Sequence, residues 1–146
     1  MFSADFSQFL DSLGMFGWRL GLENIRTIMD RLGDPQRQFI CVHVAGSNGK
    51  GSVSHFLEAV FRAAGYRTGL YTSPHLLTPA ERVRIAGQTL SDAEFERRMR
   101  PLLPVFEQQQ ATYFEAMTAF ALHCFAGDDV EIAIVETGLG GRLDAT

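Results

Sequence analysis

The sequence predicts an α/β protein in which a parallel sheet is flanked by helices, and three observations carry that reading. Short β-rich apolar runs alternate along the chain with amphipathic helical segments, the order expected of parallel strands joined by crossover helices. Two of those runs, FICVHVA and VEIAIV, are nearly uninterrupted, as strands buried on both faces are. A glycine-rich turn, Gly46 to Gly51, joins the first run to the helix that follows it.

Taken in order, the elements begin with a helix, because Phe2, Phe6, Phe9, Leu10 and Leu13 recur at helical spacing before Gly14 and Gly17 interrupt it. A second helix runs from about Leu22 to Leu32, with Leu22, Ile25, Ile28, Met29 and Leu32 on one side and Gly33-Asp34-Pro35 as its stop. Phe39 to Ala45 is the first strand. From Ser52 an amphipathic helix carries Val53, Phe56, Leu57, Val60, Phe61 and Ala64 to a C-terminal cap at Gly65. Arg67 to Tyr71 reads as the second strand, so 39–71 has the size of a βαβ unit.

Two prolines make Thr72 to Pro79 a loop, and Arg82 to Leu90 alternates around Gly87 like a small hairpin. Ser91 to Glu94 is a capping box opening a helix to about Gln109, which Pro101 and Pro104 should kink or split. Thr112 to Glu115 is a second capping box, opening an apolar helix to about Ala126. After the turn Gly127-Asp128-Asp129, Val130 to Val135 is the third strand. Thr137 to Thr146 contains three glycines and no periodicity.

With 146 residues, 46% hydrophobic and 21% charged, the chain is sized and composed as one globular domain, and a disordered chain is excluded. A net charge of −4 without a Lys/Arg stripe argues against nucleic acid as a partner. No apolar run approaches the roughly 18 residues of a membrane span. Cys41 and Cys124 fall in apolar segments that read as buried, which suits reduced thiols in a cytoplasmic protein.

The turn Gly46-Ser47-Asn48-Gly49-Lys50-Gly51-Ser52 sits between a strand and a helix, where a phosphate-binding loop belongs. Glycines let several backbone N–H groups face one anion, and the helix N-terminus adds its positive dipole end. Lys50 offers a full charge to outer phosphates and Ser52 a hydroxyl. The common GxxxxGK[ST] pattern is not matched, since Val44 and Gly51 stand where it has Gly and Ser/Thr. A strand-to-helix turn without phosphate is the competing reading. Glu136 ends the third strand, where an acidic residue helps hold Mg²⁺ in phosphate-loop enzymes, or simply meets water. Ser73, after the second strand, could give Mg²⁺ an oxygen or merely cap a turn. Glu131, His43, His55 and His123 read as structural.

Four segments resemble the folylpolyglutamate and dihydrofolate synthases: Leu20-Gly21-Leu22-Glu23, Gly46 to Ser52, Ser73-Pro74-His75-Leu76 and Glu136 to Thr146 (ETGLGGRLDAT). They occur in that family's order and span nearly the whole chain; the last is the most specific. The family departs at Ser47, where it often has Thr, and at Thr137, where it often has Val. The resemblance implies a phosphate-loop α/β fold of the Mur ligase type, with residues 1–146 as the N-terminal part of an ATP-binding ligase domain. The rest of that domain and a C-terminal domain would be absent.

Carried across, the resemblance implies that Gly46, Ser47, Asn48, Gly49, Lys50, Gly51 and Ser52 bind ATP, with Lys50 catalytic, and that Ser73 and Glu136 ligate Mg²⁺. Gly17, Trp18, Arg19 and Leu20 would line a pterin site with Thr112, Tyr113, Phe114, Glu115, Leu143, Asp144 and Ala145. The implied reaction joins L-glutamate to dihydropteroate or folate through an acyl phosphate, with little activity expected of 1–146 alone. An exposed sheet edge would favour self-association. A cell-wall Mur-type ligase and a non-enzymatic nucleotide-binding remnant are the alternatives, the first disfavoured by Gly51 and GGRLDAT.

Overall fold

The computed structural model describes residues 1–14 and 21–146. Its strands are β1 (Ile40–Val44), β2 (Thr68–Tyr71), β3 (Val83–Ile85), β4 (Gln88–Thr89) and β5 (Ile132–Glu136), and its helices are α1 (Ala4–Gly14), α2 (Glu23–Arg31), α3 (Lys50–Ala63), α4 (Asp92–Met99), α5 (Leu103–Gln108) and α6 (Tyr113–Gly127). The strands form one sheet in the order β1-β5-β2-β3-β4. β5 runs parallel to both β1 and β2, pairing Val44 with Glu136 and Tyr71 with Val135. β3 and β4 are an antiparallel hairpin added beside β2.

The parallel part of the sheet is as expected, and two features are added to it. It is mixed rather than wholly parallel, because only two residues, Ala86 and Gly87, separate β3 from β4, and a connection that short closes only an antiparallel pair. β1 and β2 are not neighbours either. The connection through α3 skips one position, and β5 fills it.

One face of the sheet carries most of the core. Tyr71, Val83, Ile85, Ala133 and Val135 lie against Phe6, Ile28, Phe95, Phe106, Phe120 and Phe125 of the helices. α6 is the centre of that layer and packs on α1, α2 and β2. Its near-continuous apolar sequence follows, since ten of its residues are buried. Thr112 and Glu115 form the expected capping box: the Thr112 hydroxyl accepts from the Glu115 N–H, and the Glu115 carboxylate accepts from the Thr112 N–H. At α4 only half of the expected box exists. Ser91 accepts from the Glu94 N–H, whereas the Glu94 carboxylate turns to Arg97 and Arg98. The prolines split the following stretch as expected, with a short 3₁₀ turn over 100–102 between α4 and α5.

The other face is thinner. Leu70, Ile132 and Ile134 meet Leu57 and Phe61 of α3 together with Val42 and Val44. Here three expectations fail. β1 is an edge strand and largely exposed, with Ile40 at 66% of its free area, because no strand among the described residues flanks it on the side away from β5. Cys41 is exposed with it, while Cys124 is buried. The buried side of α3 includes Ser54 and Glu58, whereas Val53, Phe56 and Val60 face outward. Glu58 is held by the Thr68 hydroxyl at 2.7 Å and by Arg62 at 3.0 Å, so its burial is compensated.

Candidate functional site

The glycine turn leaves the C-terminal end of β1 and enters α3 at Lys50, two residues earlier than its apolar pattern suggests. Gly49 caps the helix with φ of 76°, a conformation that favours glycine. Residues 46–49 are exposed, and the Lys50 ammonium folds back to donate to the Gly46 carbonyl at 3.0 Å. Ser52 lies in the first turn of the helix. The loop thus presents backbone, a cation and a helix N-terminus along one rim of the sheet.

Glu136 ends β5 on that same rim. Its register partner is Val44, the last residue of β1, so the carboxylate arrives beside the root of the loop. A methyl group placed on Gly51 would stand 3.7 and 3.9 Å from its two oxygens. Glu136 is buried, accepts the Ser73 N–H at 3.0 Å, and has no cationic side chain paired with it among the described residues. A buried carboxylate so placed calls for a cation. The lysine loop, Glu136 and Ser73 are therefore brought together.

Beside this rim opens a cavity of about 680 Å³ lined by Thr112 to Glu115, by Leu143, Asp144 and Ala145, and by Ser73. Two sequence-distant groups, Thr112 to Glu115 and Leu143 to Ala145, thus line one cavity. The final loop is held by Asp144, which accepts from the N–H groups of Leu139 and Thr146. Gly138 lets it lie against Phe114, since a methyl there would come within 2.5 Å of that ring. Glu115 is buried; one oxygen accepts from Asn24 and the Thr112 N–H, and the other, Oε1, has no partner among the described residues. Gly17, Trp18, Arg19 and Leu20 lie outside the described residues.

Sequence reasoning missed Arg82. In RVRI it alternates with apolar residues and reads as a solvent-facing strand residue, yet it is only 8% exposed and lines the cavity. Its Nε donates to His75 Nδ1 at 2.9 Å, which fixes the neutral imidazole with its proton on Nε2. Burial, and then the Arg82 charge, push the His75 pKa down. Tyr71, buried beneath, is pushed up to about 12 by burial and stays a neutral phenol that accepts from Thr118. Among the described residues no group of three His, Cys, Asp or Glu side chains could hold a metal unaided, and no helix is long and apolar enough to cross a membrane.

Strand, glycine loop, lysine-headed helix and an acidic neighbouring strand end define a phosphate-loop α/β class of domain. Within that class the chain is homologous to the dihydrofolate synthase/folylpolyglutamate synthases. It is 41% identical over 130 residues to a probable dihydrofolate synthetase of Schizosaccharomyces pombe, covering 88% of this chain and 31% of that protein. It superposes on Escherichia coli FolC in complex with DHPP and ADP with a TM-score of 0.88 at 38% identity, covering 96% of this chain and 34% of that one. The bifunctional folylpolyglutamate synthase/dihydrofolate synthase of Yersinia pestis, complexed with AMPPNP and Mn ion, matches with a TM-score of 0.87 at 42% identity, over 97% and 35%. The chain spans about a third of the length of these relatives. No family model matches it.

Proposed function

We propose that this chain supplies the nucleotide and acceptor sites of an ATP-dependent ligase that joins L-glutamate to dihydropteroate or folate in a cytoplasmic setting. The observation that carries the reading is the Glu136 carboxylate standing 3.7 Å from the position a Gly51 side chain would take. It sets a buried anion, without a cationic partner among the described residues, beside a lysine-bearing phosphate loop, and the bound nucleotides and metal of the homologous structures support the same assignment.

Gly46 to Ser52 cradle the phosphates through backbone N–H groups, and Lys50 offsets charge on the outer ones. Glu136 and Ser73 suit Mg²⁺, since both offer hard oxygens and Gly51 leaves room over the carboxylate for an ion that keeps several waters. Bound Mg²⁺ would neutralise charge on the transferring phosphoryl group. The cavity takes the flat acceptor, with Phe114 along one side and Glu115 in its wall.

In the reaction the acceptor carboxylate attacks the γ-phosphorus and ADP leaves. The glutamate amine then attacks the acyl carbon, inorganic phosphate leaves, and the amide forms as the amine proton passes to solvent. These chain residues act by position and charge rather than as nucleophiles. Folate-ligase names among the relatives favour this acceptor over a cell-wall precursor.

Titration calorimetry with Mg-ATP tests the reading. Wild type should bind, and Lys50→Ala should weaken binding by about tenfold or more with the thermal melt unchanged. Absence of binding by the folded wild type sinks it. Since the relatives are much longer, residues 1–146 alone are expected to show little glutamate-dependent ATP turnover; turnover at rates typical of the long relatives would refute that.

A further inference from the structure

Among the described residues that line the 680 Å³ cavity, Arg82 is the one cation. The residue is over nine-tenths buried, yet no carboxylate pairs with its guanidinium among the described residues. Its neighbours are neutral. His75 takes its Nε hydrogen at 2.9 Å, and the Tyr113 ring lies 5.2 Å from its central carbon. The two cavity-lining carboxylates are turned elsewhere, Asp144 to its own loop and Glu115 to Asn24 and the α6 cap. A permanently charged group removed from water without a counter-ion is costly, and here the open side of that group is the cavity.

The backbone says where an anion on Arg82 would lie. Tyr71 pairs with Val83, and the Thr72 N–H donates to the Arg82 carbonyl at 3.1 Å, so Arg82 stands across from the residue before Ser73. Ser73 in turn donates to Glu136, which borders Gly51 of the loop. Arg82, Ser73, Glu136 and the loop therefore follow one another along one rim of the sheet.

We infer that Arg82 is the carboxylate anchor of the acceptor: its planar fork receives the acceptor's carboxylate where the cavity meets the phosphate rim. Its stacking on Tyr113 and its bond to His75 pre-set the guanidinium, so a ligand meets a donor pair already oriented. The inference rests on reading the cavity as the acceptor site, and it names what holds the acceptor's reacting end.

Calorimetry with two probes tests it, dihydropteroate and its uncharged methyl ester, on wild type, Arg82→Gln and Arg82→Lys, each shown folded by its melt. Wild type should prefer the acid over the ester by about ten- to hundredfold, the range for a hydrogen-bonded charged pair. Arg82→Gln should lose that preference with ester affinity within about twofold of wild type, and Arg82→Lys should keep part of it because the charge remains while the fork is lost. Equal weakening of acid and ester would show Arg82 only supporting the wall, and no acid preference in wild type would likewise overturn the inference. If Arg82→Gln does not fold, an Arg82→Lys preference equal to that of wild type overturns the fork assignment. Failure of either probe to bind wild type would instead reject the cavity as acceptor site, and this inference with it. Mg-ATP binding should be unchanged in both variants; a matching loss there would assign Arg82 to the nucleotide.

Discussion

A side chain at position 51 would stand over the Glu136 carboxylate at ordinary contact distance, so it would displace an ion and its water without forcing the backbone. Gly51→Ala should therefore leave stability unchanged or raise it by about 0.4–1 kcal/mol, since the position lies in α3 and alanine restricts the unfolded chain. The same variant should weaken Mg²⁺-dependent ATP binding, measured by titrating Mg²⁺ at fixed ATP. Unaltered Mg²⁺ dependence would detach Glu136 from the metal. Position 51 was readable as a departure from the usual phosphate loop, but what it faces was not, because Glu136 is distant in sequence. Arg82 was illegible for a related reason. Alternation places a residue on a face of a strand, and only the tertiary packing of Tyr113 and His75 around it turns that face into a cavity wall.

β2 and α6 approach so closely that a methyl group on Gly69 would meet the Phe125 ring at 2.8 Å. Gly69→Ala should destabilise the fold by about 1–3 kcal/mol, the usual range for overpacking, and denaturant unfolding would show it as a lower midpoint with an unchanged slope. α4 offers a pH-dependent counterpart. Hydrogen bonds from Arg97 and then Arg98 lower the Glu94 pKa from 4.5 to about 2. A carboxylate depressed on folding stabilises above its unfolded pKa, and that contribution fades as pH falls from about 4.5 through about 2. Glu94→Gln should thus lower stability at pH 7 by under about 1 kcal/mol, as befits a partly exposed pair, and the difference should vanish near pH 2. A deficit that persists in acid would point to lost packing instead. Most elements were legible because caps and prolines act locally; Thr112 with Glu115, and Pro101 with Pro104, behave as their spacing implies. α3 was misread because its apolar residues outnumber what the sheet covers, and the neutralised Glu58 takes a buried position that periodicity assigns to a hydrophobe.

On the scale of the molecule, the two faces of the sheet are unequally covered, and the thin side ends at an open edge. Among the described residues β1 pairs with no strand other than β5, leaving a row of backbone groups along its other side without a strand partner. Val53, Phe56 and Val60 recur at helical spacing on the outer face of α3, and Phe56 is 72% exposed. An unpaired edge and an apolar helix face together favour association between copies of residues 1–146. Light scattering across a concentration series should show growth in mass, and Phe56→Ser should reduce it with little loss of stability, because the ring has few contacts to lose. Phe56 lies six residues along α3 from Lys50 and is not one of the loop residues, so Mg-ATP binding per chain should be the same in the associated wild type and the dispersed variant. A strict monomer at high concentration would mean that the exposed apolar face and the open edge do not suffice to drive pairing.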